Sequence, residues 1–316
     1  MIRHAARIRN IFETDLLPHV PDLDKGIFLI KFVNGDNHQG TQGIICGKVF
    51  MNILVTGANG QLGTELRNVT AGSRHNYIFS DVTSLPDVET LSLDITNIDA
   101  TRNVCDSENI DVIVNCAAYT NVDKAEDEPP MAMLLNCTAA GNLARVAKER
   151  DAALIHISTD YVFHGDIPMP CKEDWPTDPL GVYGSTKLAG EKEVEKSGCK
   201  SIIIRTAWLY SPYGRNFVKT ILRLTEERDS LKVVFDQIGT PTYAQDLATL
   251  IATMIDNDRL GSTGIYHFSN EGAISWYDFA KAISETGGTI CDSLVTPKNI
   301  LPKHKGHGFR CSTKQK

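Results

Sequence analysis

The sequence predicts an α/β fold, a doubly wound parallel sheet with a smaller C-terminal lobe. Three observations lead there. Short apolar runs rich in β-branched residues recur from Met51 onward, as expected for strands buried on both faces of a sheet. Helix-like stretches separate them, and alternating β and α favours parallel strands with crossover helices. A glycine-rich turn, Gly57-x-x-Gly60-x-x-Gly63, follows the first run directly and precedes an apparent helix.

In order, the strands are predicted at 52–56, 76–80, 111–115, 153–158 and 201–205, with helices over 61–68 and 131–148. Beyond about Arg205 the alternation weakens and Pro, Gly and aromatic residues increase, which suits a lobe that shapes a pocket. The expected organisation is therefore a dinucleotide-binding domain over 51–205 and a substrate lobe over 206–295, with part of the sheet returning in the second segment. Residues 1–50 are unlike the rest. A strand-like run, Gly26–Val33, leads into a polar, Gly-rich stretch, while Met51 opens a strand as a true start would. They are expected to be an upstream extension or a misassigned start, or else a small accessory segment. Residues 296–316 are basic and poor in apolar side chains, and are expected to be a disordered, truncated or frameshifted tail.

The chain has 316 residues, 42% of them hydrophobic, enough for one large core or two smaller ones. A net charge of −7 gives no basic footprint for nucleic acid. No apolar run is long enough to span a bilayer. The basic start, Met1–Arg9, has no apolar core and is not a secretory signal; a mitochondrial presequence is the minor alternative. Eight scattered cysteines form no Cys-x-x-Cys pair, so a reduced, cytoplasmic compartment is expected.

The glycine spacing has a physical reading. Gly57 permits a tight turn, Gly60 lets backbone approach a diphosphate, and Gly63 lets helix pack on strand. The amides of the following helix would face the phosphates, which makes the segment Rossmann-like. Glycines that only make a turn are the competing reading. Asp81, just past the second strand, can accept from a ribose 2′-hydroxyl and leans the cofactor toward NADH over NADPH; an ordinary loop aspartate is the alternative.

Tyr183 and Lys187 stand four residues apart, on one face of a helix. The cation favours the phenolate and makes the tyrosine a usable general acid/base. Thr159 follows a strand end, where ligands bind in such sheets, and can hydrogen-bond a carbonyl oxygen. A Tyr-x-x-x-Lys pair alone is common on helix surfaces. Asn136 either holds a water behind Lys187 or satisfies backbone groups. His304 and His307 lack a third ligand, so no metal site is assigned.

These strings bring a family into view. Residues 51–290 resemble the extended short-chain dehydrogenase/reductases, and within them the dTDP-4-dehydrorhamnose reductase family. The matching strings are Thr56–Gly63, Asn115–Glu126, Ser158–Phe163, Pro179–Glu191, Arg205–Tyr210 and Asp236–Tyr243. The resemblance implies Thr159, Tyr183 and Lys187 as the catalytic set. It implies cofactor contacts from Gly60, Gln61, Leu62, Asp81, Asp94, Ile95, Ala117, Ala118 and Thr120, and substrate contacts from Asp160 and Trp208. A core tryptophan is the plain alternative for Trp208. The implied reaction is reduction of a C4 ketone on dTDP-4-dehydro-L-rhamnose by NADH or NADPH. The family also implies a homodimer, in some members with Mg at the interface. An epimerase or dehydratase of the same superfamily and a noncatalytic dinucleotide-binding regulatory subunit are the alternatives. Thr159-Asp160-Tyr161 offers no following Glu, which argues against dehydration. His164 departs from the family's Asp, and the tail departs from its basic final segment.

Overall fold

The computed structural model describes residues 50–166, 169–287, 293–295 and 311–312. The strand-like run 26–33, His304, His307 and most of the basic tail lie outside the described residues.

Seven strands form the main sheet: β1 (Asn52–Thr56), β2 (Asn76–Asp81), β3 (Leu91–Ser92), β4 (Val112–Asn115), β5 (Ala153–Thr159), β6 (Lys200–Thr206) and β7 (Gly264–His267). Their order is β7-β6-β5-β4-β1-β2-β3, and every neighbouring pair is parallel. The order reverses between β1 and β4, and the crevice beyond the strands' carboxyl ends at such a point is where ligands bind.

Alternation along each strand builds the two apolar layers. Ile53, Val55, Ile202 and Ile204 face Leu62 and Leu66 of α1 (Gln61–Val69) together with Leu247 and Ile251 of a later helix, Ala244–Asp256. Leu54, Ile113 and Ile203 face the other way, onto Cys105 of α2 (Ile98–Ser107), Leu143 and Val146 of α3 (Ala139–Glu149) and Val194 of α4 (Val182–Ser197). Burying each large aliphatic side chain contributes about 1.5–3 kcal/mol. Asn97 starts α2 by accepting from the amides of Asp99 and Ala100 at 3.1 and 3.0 Å.

Beyond Thr206 the chain does two things. Ile221 of α5 (Phe217–Glu227) joins Leu231, Val233 and Phe279 in a separate apolar cluster, with α7 (Trp276–Gly287) packed across α5. Between these, α6 (Ala244–Asp256) lies on α1, and β7 returns to pair with β6, Ile265 opposite Ile203.

One helix differs from its sequence expectation. The stretch predicted as a single helix over 131–148 is helical at Pro129–Met133, opens into a π-turn at Leu134–Thr138, and resumes as α3. Asn136, within that turn, explains the break. Its Oδ1 accepts from the Tyr119 amide at 2.8 Å, and its Nδ2 donates to the Tyr119 carbonyl and the Thr186 hydroxyl, both at 3.1 Å. The turn also brings the Asn136 carbonyl against α4, where a Cβ on Gly190 would lie 2.0 Å from it. Gly190→Ala is therefore expected to destabilise the fold by about 1–3 kcal/mol, read as a lower urea midpoint at unchanged slope. Gly72→Ala, whose added methyl meets nothing within 4 Å, is the control expected to leave the midpoint in place.

Candidate active site

A cavity of about 620 Å³ opens at the carboxyl ends of β1, β2, β4, β5 and β6. Gly57, Gly60, Gln61, Leu62, Asp81, Asp94, Ile95, Ala117, Ala118 and Thr120 line one part of it, and Thr159, Asp160, Tyr183, Lys187 and Trp208 the other. Of the site residues named from sequence, Gly63 alone is set back from the wall. A Cβ there would lie 2.4 Å from the Ala58 Cα, so Gly63 seats α1 on the turn.

Gly57 has φ +64°, and a Cβ on it would lie 2.6 Å from the Ala117 amide nitrogen. No other residue type allows the β1 and β4 ends to come so close. Gly60 is the N-cap of α1 and supplies no side-chain cap, and the first turn carries no acid. The opening amides of α1 are thus left for an anion. At the end of β2, the Asp81 carboxylate accepts from the Asn59 amide at 3.1 Å and from the Thr83 amide and hydroxyl, both at 2.9 Å. The glycine turn is thereby tied to the β2 end. Asp94 accepts from the Thr96 amide and hydroxyl at 2.9 and 2.7 Å, which leaves Asp94 and Ile95 on the same wall.

The opposite wall is built on β5 and α4. Lys187 is 2% exposed, and its Nζ donates to the Ile157 carbonyl at 2.7 Å. Burial pulls its pKa down to about 8, against the Glu191 carboxylate, which raises it. The Tyr183 ring meets Tyr161 edge-on, with centroids 5.4 Å apart. Thr159 closes β5; its hydroxyl accepts from the Tyr161 amide and donates to Asp160, both at 3.2 Å. Cys116 also lines the cavity, but burial pushes its thiol up to about 12, so it stays neutral and is no nucleophile.

Behind this wall lies a buried network that the sequence reading missed. Arg205 of β6 grips Glu191 of α4 twice, at 2.9 and 2.7 Å, and Ser158 donates to the same carboxylate. Both charged residues are almost fully buried. His156 accepts at Nδ1 from the Asn115 side-chain amide at 3.0 Å, and burial beside the Lys187 charge holds it neutral.

Trp208 sits at φ +48° and stacks on Trp276, ring centroids 3.5 Å apart and 12° from parallel. A Cβ on Gly239 would strike the Trp208 indole at 2.4 Å. The wall is therefore a two-ring slab rather than a lone indole. Trp276, Gly214 and Arg215, which also line the cavity, were not marked in the sequence; their only local signals are an aromatic at a helix start and a Gly-Arg pair in a loop. His164 does not line the cavity. Its Nδ1 lies 3.3 Å from Asp166.

The RmlD substrate binding domain family matches residues 51–300. The dTDP-4-dehydrorhamnose reductase of Escherichia coli K12 is 44% identical over 275 residues, 84% of this chain and 90% of that protein. Among solved structures, a dTDP-4-dehydrorhamnose reductase from Clostridium acetobutylicum is 39% identical with a TM-score of 0.75, over 83% of this chain and 90% of that one. The one from Bacillus anthracis, in complex with NADP, is 36% identical with a TM-score of 0.75, over 84% and 91%.

The buried ammonium of Lys187 has a consequence for stability. Its folded pKa, about 8, lies below the ordinary value of 10.5, so the fold disfavours the charge. That penalty is complete below pH 8 and fades as pH rises toward 10.5, where the unfolded chain also loses the proton. Lys187→Met is expected to raise unfolding stability at pH 7 by about 1–3 kcal/mol, with the gain shrinking toward pH 10 in urea titrations.

Proposed function

This chain belongs to the dTDP-4-dehydrorhamnose reductase family, and we infer that it reduces the C4 ketone of dTDP-4-dehydro-L-rhamnose to dTDP-L-rhamnose. The observation that carries this reading is one cavity holding both a Tyr183–Lys187 helix face beside Thr159 and a glycine turn with open helix amides. A nicotinamide dinucleotide fits the turn, because Gly60, Gln61 and Leu62 line the cavity where α1 opens with no side-chain cap and no acid in its first turn. When bound, the reduced cofactor supplies the hydride to the carbonyl carbon.

The chain's own groups do the rest. Tyr183 gives its phenolic proton to the C4 oxygen as negative charge develops there. Lys187, held by the Ile157 carbonyl, keeps a positive charge beside the phenolate that results. Thr159 turns its hydroxyl from Asp160 to the same oxygen and orients it. Asp160 and the Trp208 slab hold the sugar, the indole offering apolar surface and one N–H donor. The opening amides of α1, at Gln61 and Leu62, face the dinucleotide phosphates. Asp94 and Ile95 lie against the adenine, and Ala117, Ala118 and Thr120 line the path to the nicotinamide.

Asp81 supports a lean toward NADH, since a fixed carboxylate accepts from a 2′-hydroxyl and repels a 2′-phosphate. The Bacillus anthracis relative in complex with NADP supports use of NADPH as well. A division into a dinucleotide-binding part over 51–205 and a substrate lobe beyond it, a homodimer and a cytoplasmic location complete the proposal. No helix among the described residues is long and apolar enough to cross a membrane. Among the described residues no group of three or more His, Cys, Asp or Glu could hold a metal.

Absorbance of NADH and NADPH, followed with enzymatically generated dTDP-4-dehydro-L-rhamnose, tests the reading. Tyr183→Phe is expected to lower kcat by roughly 10²–10⁴ while dinucleotide binding persists. Wild type that binds a dinucleotide but oxidises none would sink the reductase reading. The wild-type rate is expected to fall as pH rises through about 8, because the Lys187 charge that supports the tyrosine is lost there.

A further inference from the structure

Two cations line the cavity among the described residues. Lys187 is buried at the β5 wall beside Thr159. The other is Arg215, exposed at the rim, in the loop that leads into α5. A nucleotide sugar and a dinucleotide each carry a diphosphate, whereas the remaining charged lining residues, Asp81, Asp94 and Asp160, are all acids.

The loop carrying Arg215 is anchored to the glycine turn itself. The Gln61 side-chain oxygen accepts from Ser211 at 3.3 Å and from Asn216 at 3.0 Å. Asn216 also donates to the Ser211 carbonyl at 2.7 Å, and it caps α5 by accepting from the Lys219 amide at 3.1 Å. From the other side, Asn68 of α1 donates to the Tyr213 hydroxyl at 2.9 Å. Gly214 has φ +61°, and a Cβ on it would lie 3.1 Å from the Gln61 Cγ. Arg215 is thus fixed one residue from a contact with the opening residue of α1, while its own guanidinium makes no ion pair or hydrogen bond among the described residues.

We propose that Arg215 is a diphosphate-binding residue, closing over the phosphates that the α1 amides hold from beneath. The inference rests on the reductase reading for the identity of the ligands. A guanidinium suits the task because its planar fork matches phosphate oxygens two at a time. The proximity of Gly60, Gln61 and Leu62 assigns the diphosphate to the dinucleotide, with the sugar nucleotide as the other source.

Direct binding tests it, without turnover. Dissociation constants of NADH, NADPH and dTDP are measured by tryptophan-fluorescence titration for wild type, Arg215→Gln and Arg215→Lys. Unliganded thermal unfolding is expected to coincide for all three, since Arg215 is exposed. Arg215→Gln is expected to weaken NADH and NADPH alike by roughly 5- to 30-fold, the difference shrinking as salt rises, with Arg215→Lys keeping part of the affinity. Weaker dTDP binding with both dinucleotides unchanged would support the diphosphate contact and move it to the sugar nucleotide. A loss confined to NADPH would place the arginine on the 2′-phosphate and overturn the proposal, as would three unchanged constants. A wild type that binds dinucleotide without reducing the keto-sugar fails the reductase reading and leaves this comparison standing.

Discussion

The close approach of α4 to its neighbours is the constraint on which the site depends. Two glycines on that helix bracket Lys187. A Cβ on Gly184 would lie 2.2 Å from the Tyr161 carbonyl oxygen, and one on Gly190 would lie 2.0 Å from that of Asn136. With no side chain at either position, the helix backbone rests directly on the turn after β5 and on the π-turn before α3. Lys187 can then reach the Ile157 carbonyl, two residues before Thr159. Had either glycine carried a side chain, α4 would move outward by a large fraction of an ångström or more, and the phenol, ammonium and hydroxyl would no longer share one wall. Geometry of that order decides whether groups are placed for reaction.

The buried Glu191–Arg205 pair works on the same wall from behind. Removing two charges from water is costly, and such pairs often add little net stability. This pair joins three elements, however, because Ser158 of β5 donates to the carboxylate that Arg205 of β6 grips on α4. It fixes the sliding of α4 along the sheet, as the glycines fix its distance. Its charges also shape those in front. Glu191 lies one turn beyond Lys187 and partly offsets the burial that pulls the ammonium's pKa down. Without that carboxylate the lysine would lose its proton nearer neutrality.

The four central strands, β1, β4, β5 and β6, were legible in the sequence because they are buried on both faces, whereas the exposed β3 and half-buried β7 carried no such run. Runs such as Ile202–Ile204 have no other reading once glycine turns and helix-length gaps separate them. The Gly57 and Gly63 roles were legible for a related reason: each is dictated by a backbone contact local to the β1–α1 turn or its neighbouring strand. What stayed hidden depends on side chains distant in sequence. The π-turn needs Tyr119 and Thr186 to bond Asn136. Trp276 is an ordinary helix-start aromatic until Trp208 lies parallel to it. Arg205 and Glu191 each sit in a recognisable string, but nothing in either string says that they meet. Arg215 depends on a loop folding back over Gln61.

That loop and the tryptophan slab together explain why the cavity is shaped before a ligand arrives. Trp208 is held at φ +48°, a conformation costing a non-glycine residue on the order of 1–3 kcal/mol. The strain persists because its surroundings fix it from three directions. The Thr242 amide donates to the Trp208 carbonyl at 3.2 Å, Gly239 leaves the indole its space, and Trp276 covers a face. Thr242 and Gly239 come from the segment between β6 and α6, and Trp276 opens α7. The chain beyond Thr206 also returns α6 to α1 and β7 to β6, so the lobe carrying the slab is pinned at both ends to the sheet carrying the glycine turn. Among the described residues the cavity wall is thus already braced, and less of the free energy of ligand contact goes into ordering it.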